Sequence, residues 1–174
     1  MNRKMRQLLF FLAGLVGSIG FDQLTKRLAV LYLKEKPAFS IWDGVFELRY
    51  SENRGAAFGV LQGQQSFFFV VAFVVIAFTI WALWRMPSER RYLPFAGSLF
   101  LLVSGAVGNL IDRVANGYVV DFLYFRLIDF PIFNVADCYV VIATFLLIVL
   151  FFFYYSDEEL AFLSWKGRTG ERIR

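Results

Sequence analysis

The strongest constraint in this chain is three long apolar runs without a single charge: Ser66 to Trp84, Tyr92 to Ile111 and Cys138 to Ser156. Roughly 20 such residues cross the hydrocarbon core of a bilayer, so each run is long enough to span it. A soluble domain of this size has too little interior to hide so much apolar surface, because 59% of the 174 residues are hydrophobic and 22 are Phe. The chain is therefore read as one membrane-embedded domain.

A fourth run, Leu8 to Phe21, has 14 residues before Asp22, a length that also suits the apolar part of a cleaved signal peptide. No small-x-small pattern closes it, and Leu24, Leu28, Leu31 and Tyr32 follow at helical spacing, so a retained helix is expected. Four transmembrane helices result, at about 8–33, 66–84, 92–111 and 138–156. Lys and Arg near the helix ends orient them: Arg3, Lys4 and Arg6, then Arg85, Arg90 and Arg91, then Lys166, Arg168, Arg172 and Arg174. These ten lie in shorter segments than the eight on the opposite side, which puts both termini and the polar tail 157–174 in the cytoplasm. The net charge of +4 needs no nucleic-acid partner, because the basic residues fall in short clusters between apolar runs.

Two outer segments remain, about Lys34 to Gln65 and Asp112 to Ala136, and polar chemistry is expected there. Phe46, Leu48 and Tyr50 alternate with Glu47, Arg49 and Ser51 after an Asp43-Gly44 turn signal, which predicts a strand. Val119 to Phe125, bounded by Asn116-Gly117, predicts another. The expected fold is an all-α membrane protein of four helices with a small β-sheet on the outer membrane face.

Charge at membrane depth is costly, so it normally faces a protein interior or a watery cavity. Asp22 and Lys26 close the first helix, Asn109, Asp112 and Arg113 the third, while Asn134 and Asp137 open the fourth. Asp22 with Lys26 also reads as a simple i,i+4 pair, Asp112 with Arg113 as an interfacial helix stop, and Asn134 with Asp137 as a helix cap. Asp121 and Asp137 have no basic neighbour in sequence, and the turn containing Pro131 brings them together. Two adjacent carboxylates do not both ionise cheaply: one keeps a proton while the other holds a water for attack on an amide carbonyl. The chain has no His, which removes Ser-His and Cys-His nucleophiles and His-bound zinc, and its single Cys forms no intramolecular disulfide. An acid pair needs no metal or cofactor. A transporter lined by these polar groups is the main rival, but the second and fourth helices carry almost no polar residues at mid-depth. A Ser-Lys peptidase is another rival, with Lys26 as base and Ser51, Ser66 or Ser104 as nucleophile.

Five segments in order then resemble bacterial lipoprotein signal peptidase, signal peptidase II: Asp-Gln-Leu-Thr-Lys from Asp22, Asn-Arg-Gly-Ala-Ala-Phe-Gly from Asn53, Gly-Asn-Leu-Ile-Asp-Arg from Gly108, Val-Val-Asp-Phe from Val119 and Phe-Asn-Val-Ala-Asp from Phe133. The resemblance covers about Leu8 to Leu150. It implies an aspartic endopeptidase that removes the signal peptide from diacylglyceryl-modified prolipoproteins, cutting before the lipidated cysteine. Asp121 and Asp137 would be its catalytic pair. Asp22, Lys26, Asn53, Gly55, Gly108, Asn109, Arg113, Asn134 and Ala136 would support the site, with Gly55, Gly108 and Ala136 allowing close backbone approach. A multi-pass monomer of the bacterial inner membrane follows, in contact with membrane lipids, its site near the extracytoplasmic face. Arg54 stands where Thr is common, and Cys138 where Ser is frequent; Cys138 is read as a small buried residue.

Overall fold

The computed structural model describes residues 3–55 and 63–164. Four long helices, α1 (Arg3–Leu33), α2 (Gln65–Arg85), α3 (Leu93–Asn116) and α4 (Val135–Val149), surround one another, and three strands, β1 (Phe39–Trp42), β2 (Phe46–Asn53) and β3 (Val119–Tyr124), form an antiparallel sheet in the order β1-β2-β3. Of the helices, α2, α3 with the turn before it, and α4 with the π-turn Leu150–Tyr154 after it are long and apolar enough to cross a membrane. α3 is the central one, with 39% of its span buried against 17% for each of the other two. Phe73, Phe152 and Phe153 are largely exposed, a distribution suited to lipid and unsuited to water.

Local chemistry sets the ends of these helices. α2 stops where Met86 precedes Pro87 and turns extended, since proline disfavours helical backbone in the residue before it. α3 starts with Pro94 in its first turn and ends at Gly117, whose φ of 78° is the left-handed conformation that glycine adopts freely. It runs beyond the expected end at Ile111 because Asp112 and Arg113 find partners within the protein. α4 begins at Val135, before the expected Cys138, because Asn134 caps it. Asn134 Oδ1 accepts the Asp137 N–H and Asp137 Oδ2 accepts the Asn134 N–H, a complete capping box.

β1 and β2 form a hairpin around Gly44 at φ 73°, with a bulge between Ser40 and Trp42. β2 and β3 match the two predicted strands, while β1 has no counterpart in the sequence reading. β3 pairs with β2 so that Ser51 lies opposite Asp121 and Asn53 opposite Val119. Ala29 of α1 packs with Val120 and Phe122, fastening the sheet to the helices. At the other end Ala82, Tyr92, Phe95, Leu99, Leu150 and Tyr155 form the second core. Residues 157–164 fold back onto it through the Arg91–Glu159 ion pair and Phe162; the remainder of the expected tail, with its four basic residues, lies outside the described residues, as do residues 56–59 of the motif from Asn53.

Small residues let α3 and α4 meet closely. A Cβ on Gly105 would overlap the Ala136 carbonyl and lie 2.6 Å from Val140 Cγ2, and one on Gly108 would lie 2.7 Å from an Asp22 oxygen. Backbone cannot yield as a flexible side chain does, so Gly105→Ala is expected to destabilise the protein by about 1–3 kcal/mol, read as a lower thermal midpoint in detergent. Gly97→Ala, whose Cβ would meet nothing within 4 Å, should not lower it. An unchanged midpoint for Gly105→Ala would contradict this packing.

Candidate active site

Asp121 lies in the middle of β3, and Asp137 occupies the third position of α4. The chain between them is folded back: Phe133 forms a bridge with Leu123, which brings the start of α4 alongside the strand. Asn134 then joins the two carboxylates, since its Nδ2 donates to Asp121 Oδ1 at 2.6 Å while its backbone N–H donates to Asp137 Oδ2 at 3.1 Å. The helix-cap reading of Asn134 and Asp137 therefore holds, and the same asparagine also contacts Asp121.

The remaining contacts extend this arrangement. Asn53 Nδ2 donates to Asp121 Oδ2 at 2.9 Å, and Asn53 Oδ1 accepts the Gly55 N–H at 2.9 Å. Asn109 Nδ2 donates to Asp137 Oδ1 at 2.7 Å, and its Oδ1 accepts from both Lys26 Nζ at 2.9 Å and Asn134 Nδ2 at 3.1 Å. Asn53 and Asn134, both expected to support the site, each donate to Asp121. Arg113 Nη2 donates to the Gly55 carbonyl at 3.1 Å, while its guanidinium lies 4.1 Å from the Phe68 ring centre. Arg113 thus ties α3 to the segment after β2 and to α2, and it forms no direct bond to either carboxylate among the described contacts.

Lys26 is almost wholly buried and bridges Asp22 at 3.0 Å and Asp112 at 3.1 Å. The i,i+4 pair is thus real but incomplete, since Asp112 is the third member and no interfacial stop. Sequence reasoning passed over Asp112 as a functional residue and missed Gln23, whose Nε2 donates to Asp112 Oδ1 at 2.9 Å and to the Gly108 carbonyl at 3.1 Å. The signal for Asp112 was its charge near a helix end; Gln23, uncharged, was marked only as a member of the segment Asp-Gln-Leu-Thr-Lys. Ala136 is fully buried and its N–H donates to Asp22 Oδ1 at 2.9 Å. The Ser-Lys alternative finds no support here, because Lys26 is taken up by Asp22, Asp112 and Asn109 while Ser104 bonds Ser18 and the Phe100 carbonyl.

Both carboxylates line one cavity of about 700 Å³, walled mainly by apolar residues of α2, α3 and α4 such as Phe68, Val71, Leu102, Leu110, Val140 and Val141. Cys138 faces the same cavity and is half-buried, more open than expected, because it follows Asp137 into it. Asp121 is 2% exposed. Burial, and next the negative charge of Asp137, push its carboxyl up to about 7, against the opposing hydrogen bonds from Asn53 and Asn134 and the charge of Lys26. A carboxyl that keeps its proton near neutral pH, beside a second carboxyl in an apolar cavity, can act as an acid and leave its neighbour to act as a base.

Comparison with known proteins gives the family of the chain. The family described as Signal peptidase (SPase) II matches residues 14–153. A lipoprotein signal peptidase of Clostridioides difficile is 42% identical over 126 residues, covering 72% of this chain and 83% of the relative. One from Lactococcus lactis subsp. cremoris is 41% identical over 133 residues, covering 76% and 86%. A solved bacterial membrane enzyme structure obtained by the in meso method superposes with a TM-score of 0.73 at 31% identity, covering 82% of this chain and 87% of that one. A second such structure gives 0.71 at 30% identity, covering 84% and 94%. A match over most of the chain, identities near 40% and a shared fold show that this chain belongs to the signal peptidase II family, the lipoprotein signal peptidases.

Proposed function

We propose that Asp121 and Asp137 are the catalytic pair with which this peptidase removes signal peptides from diacylglyceryl-modified prolipoproteins, cutting before the lipidated cysteine. Removal of prolipoprotein signal peptides in lipoprotein maturation is the role of the family. The observation that carries the assignment is that both carboxylates open into one apolar cavity of about 700 Å³ between helices. Such a cavity suits the apolar segment of a signal peptide, with its scissile bond at the polar end. Asp121 holds its proton and donates it to the scissile carbonyl oxygen as water attacks the carbon. Asp137 takes the proton released by that water and passes it to the leaving amide nitrogen, and collapse of the intermediate returns the first proton to Asp121. The apolar walls keep bulk water from screening the pair.

Asp121→Asn and Asp137→Asn are each expected to abolish cleavage while leaving membrane insertion intact. In the unaltered protein Asp121, raised to about 7, keeps its proton below that pH and loses it above. The acid member is therefore lost on the alkaline side, and kcat/KM should fall about tenfold per pH unit above about 7. Robust processing by either purified variant, or a profile flat to pH 9, would refute the assignment.

The finer topology belongs to the same proposal. α1 forms a fourth crossing, being 31 residues and thus roughly 46 Å long. Both termini lie in the cytoplasm of a bacterial cell, and the sheet and site lie at the outer face of the inner membrane. The protein acts as a monomer among membrane lipids, without nucleic acid. What supports this is the cluster Arg85, Arg90 and Arg91 in the α2–α3 connection, at the helix ends opposite β3. With Cys138 replaced by Ala, Leu127→Cys should react with an impermeant maleimide in intact spheroplasts, and Ser88→Cys only after permeabilisation. The reverse pattern would invert the topology.

A further inference from the structure

The two carboxylates that fix the acid pair are themselves linked through one ammonium group. Asp22 Oδ1 accepts the N–H of Ala136, the residue before Asp137, at 2.9 Å. Asp112 Oδ2 accepts the N–H of Val120, the residue before Asp121, at 3.0 Å. Lys26 bonds both, at 3.0 and 3.1 Å, and reaches Asp137 through Asn109. Gln23 forms a second, neutral bridge, donating to Asp22 Oδ2 at 3.2 Å and Asp112 Oδ1 at 2.9 Å. We infer that Asp22, Lys26 and Asp112 are positioning residues that set the backbone of both catalytic carboxylates at once, with Lys26 as the shared link. The inference rests on the assignment of Asp121 and Asp137 as the catalytic pair.

Each contact lies where the backbone needs a partner. The Ala136 N–H belongs to the first turn of α4, where no intrahelical acceptor exists, and the positive helix end favours a carboxylate. Val120 lies on β3, an edge strand of the sheet, and Asp112 accepts its N–H there. The side chains of Asp22, Lys26 and Asp112 are at most 4% exposed, which leaves these contacts unscreened by water. Gly108 makes room for this arrangement, since a Cβ there would press on Asp22 Oδ2. None of the three side chains bonds Asp121 or Asp137 directly, and none needs to touch substrate.

The experiment is steady-state kinetics on a diacylglyceryl-modified prolipoprotein with purified full-length variants, corrected for the folded fraction from melting curves. Asp22→Asn and Asp112→Asn should each lower kcat roughly 10- to 100-fold with KM little changed, the effect of a slight misplacement of reacting groups. The double variant should lose less than the product of the two losses, because both act through one lysine. Lys26→Met alone strands two buried carboxylates, so the neutral triple variant Asp22→Asn/Lys26→Met/Asp112→Asn accompanies it and should fold with a reduced kcat. Wild-type kcat in the folded variants, a loss confined to KM, or strictly multiplicative losses would overturn the shared positioning role. Asp121→Asn and Asp137→Asn run in parallel separate the two ideas. Inactive Asp121 and Asp137 variants beside fully active Asp112→Asn and Asp22→Asn sink only the positioning role, whereas activity in the former sinks the catalytic pair and with it this inference.

Discussion

A buried lysine between two carboxylates is the interaction on which the rest of this structure depends. These side chains are at most 4% exposed, so no water is at hand to solvate a stray charge and each polar group must find its partner inside the protein. Lys26 meets that condition for Asp22 and Asp112, joining α1 to α3. Removing one member of such a buried group typically costs about 3–5 kcal/mol, because the others are left uncompensated. Asn109, Asn134 and Asn53 then carry the polar network outward from the lysine to Asp137 and Asp121. The sheet is held to the helices by this network as well as by Ala29, Val120 and Phe122.

The same geometry reconciles two demands of cleavage at a membrane. A signal peptide is apolar and needs an apolar seat, while peptide hydrolysis needs water, an acid and a base. The cavity offers apolar walls from α2, α3 and α4 and carries the carboxylates at the end where β3 and α4 begin. Close packing of α3 on α4 at Gly105 and Gly108 brings the start of α4 near Asp22, so the small residues serve the site as well as the fold.

What could be read from the sequence divides along the line between local and long-range physics. Hydropathy is local, so the apolar runs marked α2, α3 and α4 directly. Their ends depend on partners: α3 continues past Asp112 and Arg113 only because Lys26 and Gly55 receive those charges. Alternation revealed β2, and β-branched richness revealed β3. β1 escaped because Phe39 to Trp42 are all exposed and show no inside-outside alternation. The polar candidates Asp22, Lys26, Asn109 and Asn134 stood out at the helix ends, Asn53 came only from the family resemblance, and the structure joins all five to Asp121 and Asp137 in one hydrogen-bonded network. The roles of Asp112 and Gln23 were not legible, since both depend on contacts between α1 and α3 across more than 80 positions of chain.

The central claim is that this cavity and its acid pair act on a lipid-bearing substrate. The direct measurement is incubation of the purified protein with one prolipoprotein in two forms, with and without the diacylglyceryl group on its cysteine, followed by mapping of the new amino terminus. The account predicts cleavage of the modified form alone, with the lipidated cysteine as the first residue of the product. Equal cleavage of both forms, cleavage elsewhere, or cleavage of neither would contradict it.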